Sequence, residues 1–186
     1  MKQAAHMILT LSLIGTLSGT VLALVNTWAS PLIAQRAREA KEAAIFLVQP
    51  EAVTYEQVPV ENLEVYRVFD EAGAPIGYSM VHSATGFQSV IMVMIGISDD
   101  LNTIIAIAIL DQNETPGLGT LIKEPEYINQ FKGLATTPNI AWIKGVPPDA
   151  PNEVQTITGA TISSRAVVEI VDNAVAQLRA LQEELK

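Results

Sequence analysis

The stretch Thr156-Ile157-Thr158-Gly159-Ala160-Thr161-Ile162-Ser163-Ser164 joins a run of small and hydroxyl residues directly to an apolar pattern of helical period. The apolar residues that continue this pattern are Val167, Val168, Val171, Val175, Leu178 and Leu181. Their spacing predicts an amphipathic helix that begins near Ser163. Thr161, Ser163 and Ser164 are each suitable N-cap residues. The unpaired N–H groups of the first turn and the positive end of the helix dipole suit a phosphate.

Two interpretations of this stretch stay open on the residues alone. Hydroxyl residues precede many helices, so an ordinary capped helix without a ligand accounts for the pattern. The other interpretation is an anion site, in which Gly159 and Ala160 leave the approach to a neighbouring hydroxyl uncrowded. A phosphate would then be held by the helix N-terminus.

A second motif lies some forty residues upstream. Glu114-Thr115-Pro116-Gly117-Leu118-Gly119 follows the strongly apolar run 103–110, which is typical of a buried strand. Its two glycines remove Cβ bulk, so the main-chain donors and acceptors of the loop are open to a flat ligand. A plain β-turn after a strand is the alternative.

Together the two motifs resemble one family. Thr158-Gly159-Ala160-Thr161 is similar to the Ser/Thr-Gly-Ala-Thr signature at which a flavin transferase attaches FMN through a phosphoester to the last threonine. Both motifs occur in the FMN-binding domain of the G subunit of the Rnf electron-transport complex and of the related C subunit of the sodium-pumping NADH:quinone oxidoreductase. The resemblance extends from the N-terminal apolar segment to Leu181, and a length of 186 residues favours the Rnf-type G subunit.

The resemblance implies a set of cofactor-binding residues, with FMN attached to Thr161. In relatives the Glu-Thr-Pro-Gly-Leu-Gly loop lines the isoalloxazine, and an aromatic residue lies near it at the position of Phe87. The expected set is Thr158, Gly159, Ala160, Thr161, Ser163, Ser164, Glu114, Thr115, Gly117, Leu118, Gly119 and Phe87. No metal ligand is expected.

For two further residues near the motifs, Trp142 and Arg165, the sequence allows either a contact with the cofactor or a purely structural role. Trp142 could supply an apolar wall against the ring or belong to the core. Arg165 could pair with the phosphate or be solvated. The chain also departs from the family pattern, because Gln155 occupies the place of a frequent aspartate, and Gln112 and Asn113 replace a histidine of many relatives.

The N-terminal segment predicts a membrane anchor. Residues 7–34 contain no charged side chain and exceed the ~20 apolar residues that cross a bilayer. A cleaved signal peptide is the alternative, although the apolar run is longer than its usual core. Gly15, Gly19 and Ala23 form a small-residue stripe on which another transmembrane helix could pack. Lysine and arginine counts favour a cytoplasmic domain, whereas the resemblance implies a flavin domain on the extracytoplasmic side of the inner membrane.

The remaining sequence predicts an α+β domain. We divide the chain into a transmembrane anchor at 1–35, a stalk helix and linker at 36–60, and an FMN-binding domain at 61–186. Beta-like runs at 64–69, 76–81, 89–97 and 103–110 are separated by turn residues and predict an antiparallel sheet. A short helix is expected at 125–131 and an edge strand at 141–144. The final helix is expected to pack on one face of the sheet.

Composition excludes several functional classes. From residue 36 onward the chain has 20 acidic and 10 basic residues, so nucleic-acid binding is not expected. The absence of cysteine excludes thiolate-bound iron–sulfur clusters and disulfides. Any redox chemistry must therefore come from a bound cofactor.

The resemblance implies a redox subunit of a multisubunit translocase rather than an enzyme that acts alone. FMN on Thr161 would relay electrons in an ion-translocating ferredoxin:NAD oxidoreductase of Rnf type. The expected partners are the other membrane subunits, the membrane itself and a flavin transferase for maturation. The alternatives are a noncatalytic membrane-tethered assembly module, a component like the C subunit of the sodium pump, and a self-contained reductase with noncovalent FMN.

Overall fold

The computed structural model describes residues 2–60 and 63–184 and begins with one long helix. Helix α1 runs from Lys2 to Val48 and contains Pro31. Its most apolar 18-residue window has a mean hydropathy of 2.1 and is fully exposed, so α1 is long and apolar enough to cross a membrane. The predicted stalk helix is the C-terminal part of α1, which ends two residues before Pro50. By contacts, the chain divides into the compact units 1–40 and 41–186.

The second unit contains a six-stranded antiparallel sheet whose strands follow one another in chain order. Its strands are β1 (Thr54–Val58), β2 (Glu64–Phe69), β3 (Pro75–Thr85), β4 (Val90–Ser98), β5 (Thr103–Asp111) and β6 (Leu134–Ala135). The predicted antiparallel sheet is confirmed. Strand β1 is additional, because its residues fall within the predicted linker.

The chain after β5 supplies the elements around the two motifs. Helix α2 (Pro125–Ile128) lies between two short 3-10 turns, Gly119–Lys123 and Asn129–Phe131. Strands β7 (Ala141–Ile143) and β8 (Glu153–Gln155) pair in parallel as a separate two-stranded sheet. Helix α3 runs from Thr161 to Glu184, so it begins two residues before the predicted start.

Helices cover both faces of the large sheet. The apolar residues of α3, including Val167, Ile170 and Val171, pack with Met80 and Ile95 in the main core. The last turns of α1 pack on the other face, in a second core whose buried residues are Ala44, Ile45, Val48, Ala52, Val68, Met94, Ala106 and Ala108. The sheet therefore lies between α3 and the last turns of α1.

The close approach of α1 to the sheet depends on a glycine. A Cβ built on Gly96 would overlap the carbonyl oxygen of Val48, which no side chain tolerates. The glycine thus lets the end of α1 contact the strand directly.

Candidate functional site

Two tight turns of the same kind form the centre of the site. In residues 115–118, the Leu118 N–H donates to the Thr115 carbonyl at 3.2 Å, and Gly117 has a φ of 73°. In residues 157–160, the Ala160 N–H donates to the Ile157 carbonyl at 3.0 Å, and Gly159 has a φ of 86°. A positive φ at the third residue is typical of a type II turn and favours glycine there. Both sequence motifs are therefore turns whose glycines are fixed by backbone conformation.

The two turns contact each other. A Cβ built on Gly159 would lie 3.3 Å from Cδ2 of Leu118, which is closer than most such contacts. Glycine at position 159 is thus favoured twice, by its positive φ and by the neighbouring leucine. This contact brings the two sequence-distant motifs to one place.

A buried carboxylate beneath the turns connects three segments of the chain. Glu114 is only 2% exposed. Its Oε1 accepts hydrogen bonds from the N–H groups of Gln88 at 3.1 Å and Ser89 at 3.0 Å, and its Oε2 accepts from the N–H of Phe87 at 3.2 Å. The Ser163 hydroxyl donates to Oε2 at 2.6 Å. Glu114 therefore fixes the β3–β4 hairpin loop and the first turn of α3 to its own loop.

The hydrogen bonds keep this carboxylate ionised. Burial by itself raises the pKa of Glu114, because it disfavours the charged form. The hydroxyl of Ser163 and the main-chain N–H groups of Ser89, Gln88 and Phe87 stabilise the anion, and the net pKa lies below its usual value. A buried anion held by several donors is expected to be a rigid tether.

Two glycines make room for the carboxylate. A Cβ on Gly86 would lie 2.6 Å from Oε1 of Glu114, and a Cβ on Gly119 would lie 2.7 Å from Cβ of Glu114 and 2.9 Å from the Ser163 oxygen. Gly119 therefore has a packing role, in contrast to the conformational role of Gly117. Any side chain at either position would displace the tether.

Ser164, which follows Ser163, fixes the 157–160 turn. Ser164 is fully buried, and its hydroxyl donates to the Ala160 carbonyl at 2.8 Å and accepts from the Ile157 N–H at 3.2 Å. The hydroxyl of buried Tyr127 donates to the Ser164 carbonyl at 2.7 Å. These bonds hold the 157–160 turn against the start of α3.

A cavity of about 420 Å³ opens between the two turns. It is lined by Phe87, Thr115, Leu118, Gly119, Lys144, Gly159, Ala160, Thr161, Ile162 and Ser163. Phe87 is 62% exposed, and Leu118 and Ile162 are about half exposed, although all three are large apolar side chains. Such a volume with apolar walls and a few polar groups is typical of a cofactor site.

Eight of the twelve expected residues line this cavity, and the other four lie elsewhere. Glu114 and Ser164 are buried beneath it, and Gly117 shapes the 115–118 turn without lining the cavity. Thr158 lies at a separate hollow of about 270 Å³, together with Glu124, Gln155 and other residues. The reversal of the chain at the 157–160 turn accounts for the separation of Thr158 from Thr161.

Lys144 and Ile162 line the cavity but were absent from the sequence prediction. Lys144 follows β7, and β7 pairs in parallel with β8, which leads into the 157–160 turn. The Thr156 N–H donates to the Ile143 carbonyl at 2.8 Å, so Lys144 is held beside that turn. Its only sequence signal is a basic residue at the end of the predicted edge strand.

Trp142 and Arg165 lie outside the residues that line the cavity. The guanidinium of Arg165 lies 5.8 Å from the centre of the Trp142 ring, and its Nε is 3.3 Å from a carboxylate oxygen of Glu169. Both side chains are substantially exposed. The arginine therefore has a surface ion-pair environment, which corresponds to the solvated role considered above.

The residues of the cavity fit FMN. The N-terminus of α3, which begins at Thr161, and Lys144, which lines the same cavity, provide positive charge that suits a phosphate. Phe87, Leu118 and Ile162 leave apolar surface uncovered at the same cavity, as a flat aromatic ring requires.

Known proteins are similar to this chain in sequence. The family model of the FMN-binding domain matches residues 86–176, which include both turns. The G subunit of the ion-translocating oxidoreductase complex of Methanosarcina acetivorans is 32% identical, and the alignment covers 94% of each chain. The G subunit of the Na(+)-translocating ferredoxin:NAD(+) oxidoreductase complex of Acetobacterium woodii is 30% identical over 90% of this chain and 87% of its own.

A solved structure has the same fold. The crystal structure of Shewanella oneidensis NqrC superposes with a TM-score of 0.55 at 21% identity, covering 67% of this chain and 66% of that chain. The G-subunit relatives, by contrast, align over almost the whole chain, including the N-terminal apolar helix. The chain belongs to the family of G subunits of ion-translocating, Rnf-type oxidoreductase complexes.

Proposed function

We propose that this chain is the membrane-anchored flavoprotein subunit of an ion-translocating ferredoxin:NAD oxidoreductase, and that FMN is attached covalently to Thr161. Its relatives are named as subunits of such complexes, and its FMN-binding domain contains the cavity described above. When bound, FMN supplies reversible electron uptake and release. The protein supplies the position of the cofactor and the environment that sets its potential.

The observation that carries this proposal is that the Thr161 hydroxyl makes no hydrogen bond with a described residue. Three hydroxyl residues line the cavity: Thr115, Thr161 and Ser163. Ser163 donates to Glu114, and the Thr115 hydroxyl donates to the side chain of Gln88 at 3.3 Å. Among the described residues the Thr161 hydroxyl has no hydrogen-bond partner. It is therefore the hydroxyl of the cavity that can be esterified without loss of an internal hydrogen bond.

The attachment would be a phosphoryl transfer from an activated flavin donor. One P–O bond forms between Oγ1 of Thr161 and the phosphorus that carries the flavin, and the bond from that phosphorus to its leaving group breaks. With a flavin dinucleotide as donor, the nucleoside monophosphate leaves with the hydroxyl proton, and the protein gains the mass of FMN less one water. The resulting phosphodiester keeps one negative charge beside the N-terminus of α3 and Lys144, both of which stabilise an anion there. A flavin transferase is the proposed catalyst, since the described residues place no histidine at the cavity to remove the hydroxyl proton.

The rest of the cavity would orient the ring. Phe87 and Leu118 lie on loops that Glu114 connects, so their positions relative to Thr161 are fixed by hydrogen bonds. Thr115 and Leu118 of the 115–118 turn line the cavity, so main-chain groups of this turn could contact the ring. These residues would bind and orient FMN.

The membrane arrangement is part of the same proposal. Helix α1 would anchor the chain in the cell membrane, with the flavin domain on the extracytoplasmic side and other membrane subunits as its partners. The absence of a charged side chain in 7–34 makes this anchor unsuited to conduct ions by itself. Ion movement would take place in neighbouring subunits.

The test is intact mass and in-gel flavin fluorescence of the denatured full chain, coexpressed with a flavin transferase. Wild-type protein should carry the mass of FMN less one water, and Thr161→Ala should carry none. The matched control is Thr158→Ala, which changes the same type of residue at the hollow on the other side of the turn. It should keep at least half of the wild-type flavin.

Two results would contradict the proposal. Colourless wild-type protein, made beside a control protein that the same transferase labels, would favour an assembly module without flavin. Flavin that is bound but lost on denaturation would favour the noncovalent alternative.

A further inference from the structure

The outer edge of β5 is unpaired over most of its length, although the side chains of Ala106, Ile107 and Ala108 are buried. Strand β6 pairs with β5 only at Thr103 and Ile104. Within the described residues, the main chain of 106–110 makes no hydrogen bond outside the ladder with β4. An apolar strand edge of this kind can pair with another chain.

A groove of about 350 Å³ runs along this edge. Its floor is formed by the four consecutive residues Ala106, Ile107, Ala108 and Ile109. Because side chains alternate between the two faces of a strand, a groove that touches four consecutive residues follows the edge of the strand. Its walls are Leu47, Lys123, Pro125, Ile128, Asn129 and Lys132. Four residues at about 3.4 Å each give an edge of roughly 14 Å.

The charge of the groove is opposite to that of the domain. Lys123 and Lys132 are exposed, and neither forms an ion pair with a described residue. The chain from residue 36 has twice as many acidic as basic residues, yet no acidic residue lines this groove. Two unpaired lysines beside an apolar edge are complementary to a segment that has both apolar and acidic residues.

The β1 edge of the sheet is more polar than the β5 edge. Strand β1 has the sequence Thr-Tyr-Glu-Gln-Val, and Glu56 and Gln57 are exposed. Charged and polar side chains at an edge discourage pairing with another strand. The β5 strand itself is apolar from Ala106 to Ile109, and Lys123 and Lys132 lie beside the strand rather than on it.

We propose that the β5 groove binds an extended segment of a neighbouring membrane subunit, which adds to the sheet as a strand. Main-chain hydrogen bonds to 106–109 would supply affinity, and Asp or Glu side chains that flank its apolar residues would pair with Lys123 and Lys132. The inference rests on the proposed function only in taking the partner from the same complex. The groove shares no lining residue with the flavin cavity.

The test is photo-crosslinking in the assembled complex. The full chain, with p-benzoylphenylalanine in place of exposed Asn129, is coexpressed with its neighbouring subunits, irradiated in membranes and purified. The matched control has the same amino acid in place of exposed Gln57, at the β1 edge. Adducts are identified by mass spectrometry, in the wild-type background and with Lys123→Glu and Lys132→Glu combined.

The expected adduct at position 129 joins a segment of a different subunit that has at least two acidic residues next to apolar ones. The double charge reversal should lower its yield at least tenfold, and the control at position 57 should not give this adduct. An adduct with a second copy of the chain or with lipid alone, no adduct, or a yield that charge reversal leaves unchanged would overturn the proposal.

Folding and flavin content are measured separately. Circular dichroism of each variant reports whether the domain is folded, and in-gel fluorescence reports the covalent flavin. Failure of the flavin proposal would remove fluorescence from every variant, wild type included, without changing the crosslinks. Failure of the groove proposal would leave fluorescence intact and remove or redirect the crosslinks.

Discussion

Ser163 and Thr161 lie two residues apart in the first turn of α3, yet their hydroxyls have opposite environments. Ser163 is 2% exposed and donates to the buried carboxylate of Glu114. Thr161 is half-buried, lines the cavity and has a hydroxyl without a hydrogen-bond partner among the described residues. Ser163 therefore helps to fix the turn through its hydrogen bond, whereas the hydroxyl of Thr161 is available for reaction.

This difference shows how a reactive position can be held without being blocked. Rigidity comes from Glu114, Ser163, Ser164 and Tyr127, whose hydrogen bonds join the hairpin loop, α2 and α3. None of these bonds uses the Thr161 side chain. Substitution of one of these four residues should therefore lower the stability of the domain, whereas substitution of Thr161 should only prevent attachment of the flavin.

The largest effect on stability is expected for Glu114→Ala. The change leaves three main-chain N–H groups and the Ser163 hydroxyl without their acceptor, and it should lower the free energy of unfolding by about 3 kcal/mol. Thermal unfolding of the full chain in detergent measures the effect. The control is Glu124→Ala at an exposed position, for which a change within about 0.5 kcal/mol is expected. Equal losses for both variants would show that Glu114 is not a tether.

The same tether should depend on pH. The native pKa of Glu114 lies below its usual value of 4.5 because hydrogen bonds outweigh burial. Its contribution to stability is therefore complete above pH 4.5 and is lost as the pH falls through the native pKa. The stability difference between wild type and Glu114→Gln should be constant from neutral pH to about pH 5 and shrink below pH 4.5. A difference that grows on acidification would contradict the assignment of an ionised carboxylate.

A smaller effect is expected for Ser163→Ala, which removes one hydrogen bond to a charged group. The free energy of unfolding should fall by about 1.5 to 2 kcal/mol. Thr161→Ala removes a hydroxyl from the same turn without breaking a hydrogen bond, so without flavin its stability should stay within about 0.5 kcal/mol of wild type. Chemical unfolding of both variants, expressed without a flavin transferase, makes the comparison. A larger loss of stability for Thr161→Ala than for Ser163→Ala would contradict the different roles assigned to the two hydroxyls.

The sequence predicts those parts of the fold that depend on local pattern. The period of α3 and the apolar runs of β2 to β5 are visible in the residues themselves, and the structure confirms them. Strand β1 was missed because its five residues are mainly polar and exposed, and it is a strand through pairing with β2. Its extended conformation depends on a partner rather than on its own composition.

In the candidate site too, the features with a local sequence pattern were predicted, and those that depend on contacts between distant residues were not. Both turns were located from glycine, proline and hydroxyl residues, which encode local conformation. The tether was not predicted, because Glu114 and Ser163 are separated by 49 positions and no local pattern connects them. Lys144 reaches the cavity through the parallel pairing of β7 with β8, another contact between distant residues.

The most direct test of the central claim is the position of the flavin within one peptide. Trypsin cleavage after Lys144 and Arg165 releases residues 145–165, which contain Thr156, Thr158, Thr161, Ser163 and Ser164. Fragmentation of this peptide from wild-type protein should place the mass of FMN less one water on Thr161 alone. The same mass on Ser163 would mean that the hydrogen-bonded hydroxyl reacts, and on Thr158 that the other side of the turn carries the cofactor. Either result would contradict the account.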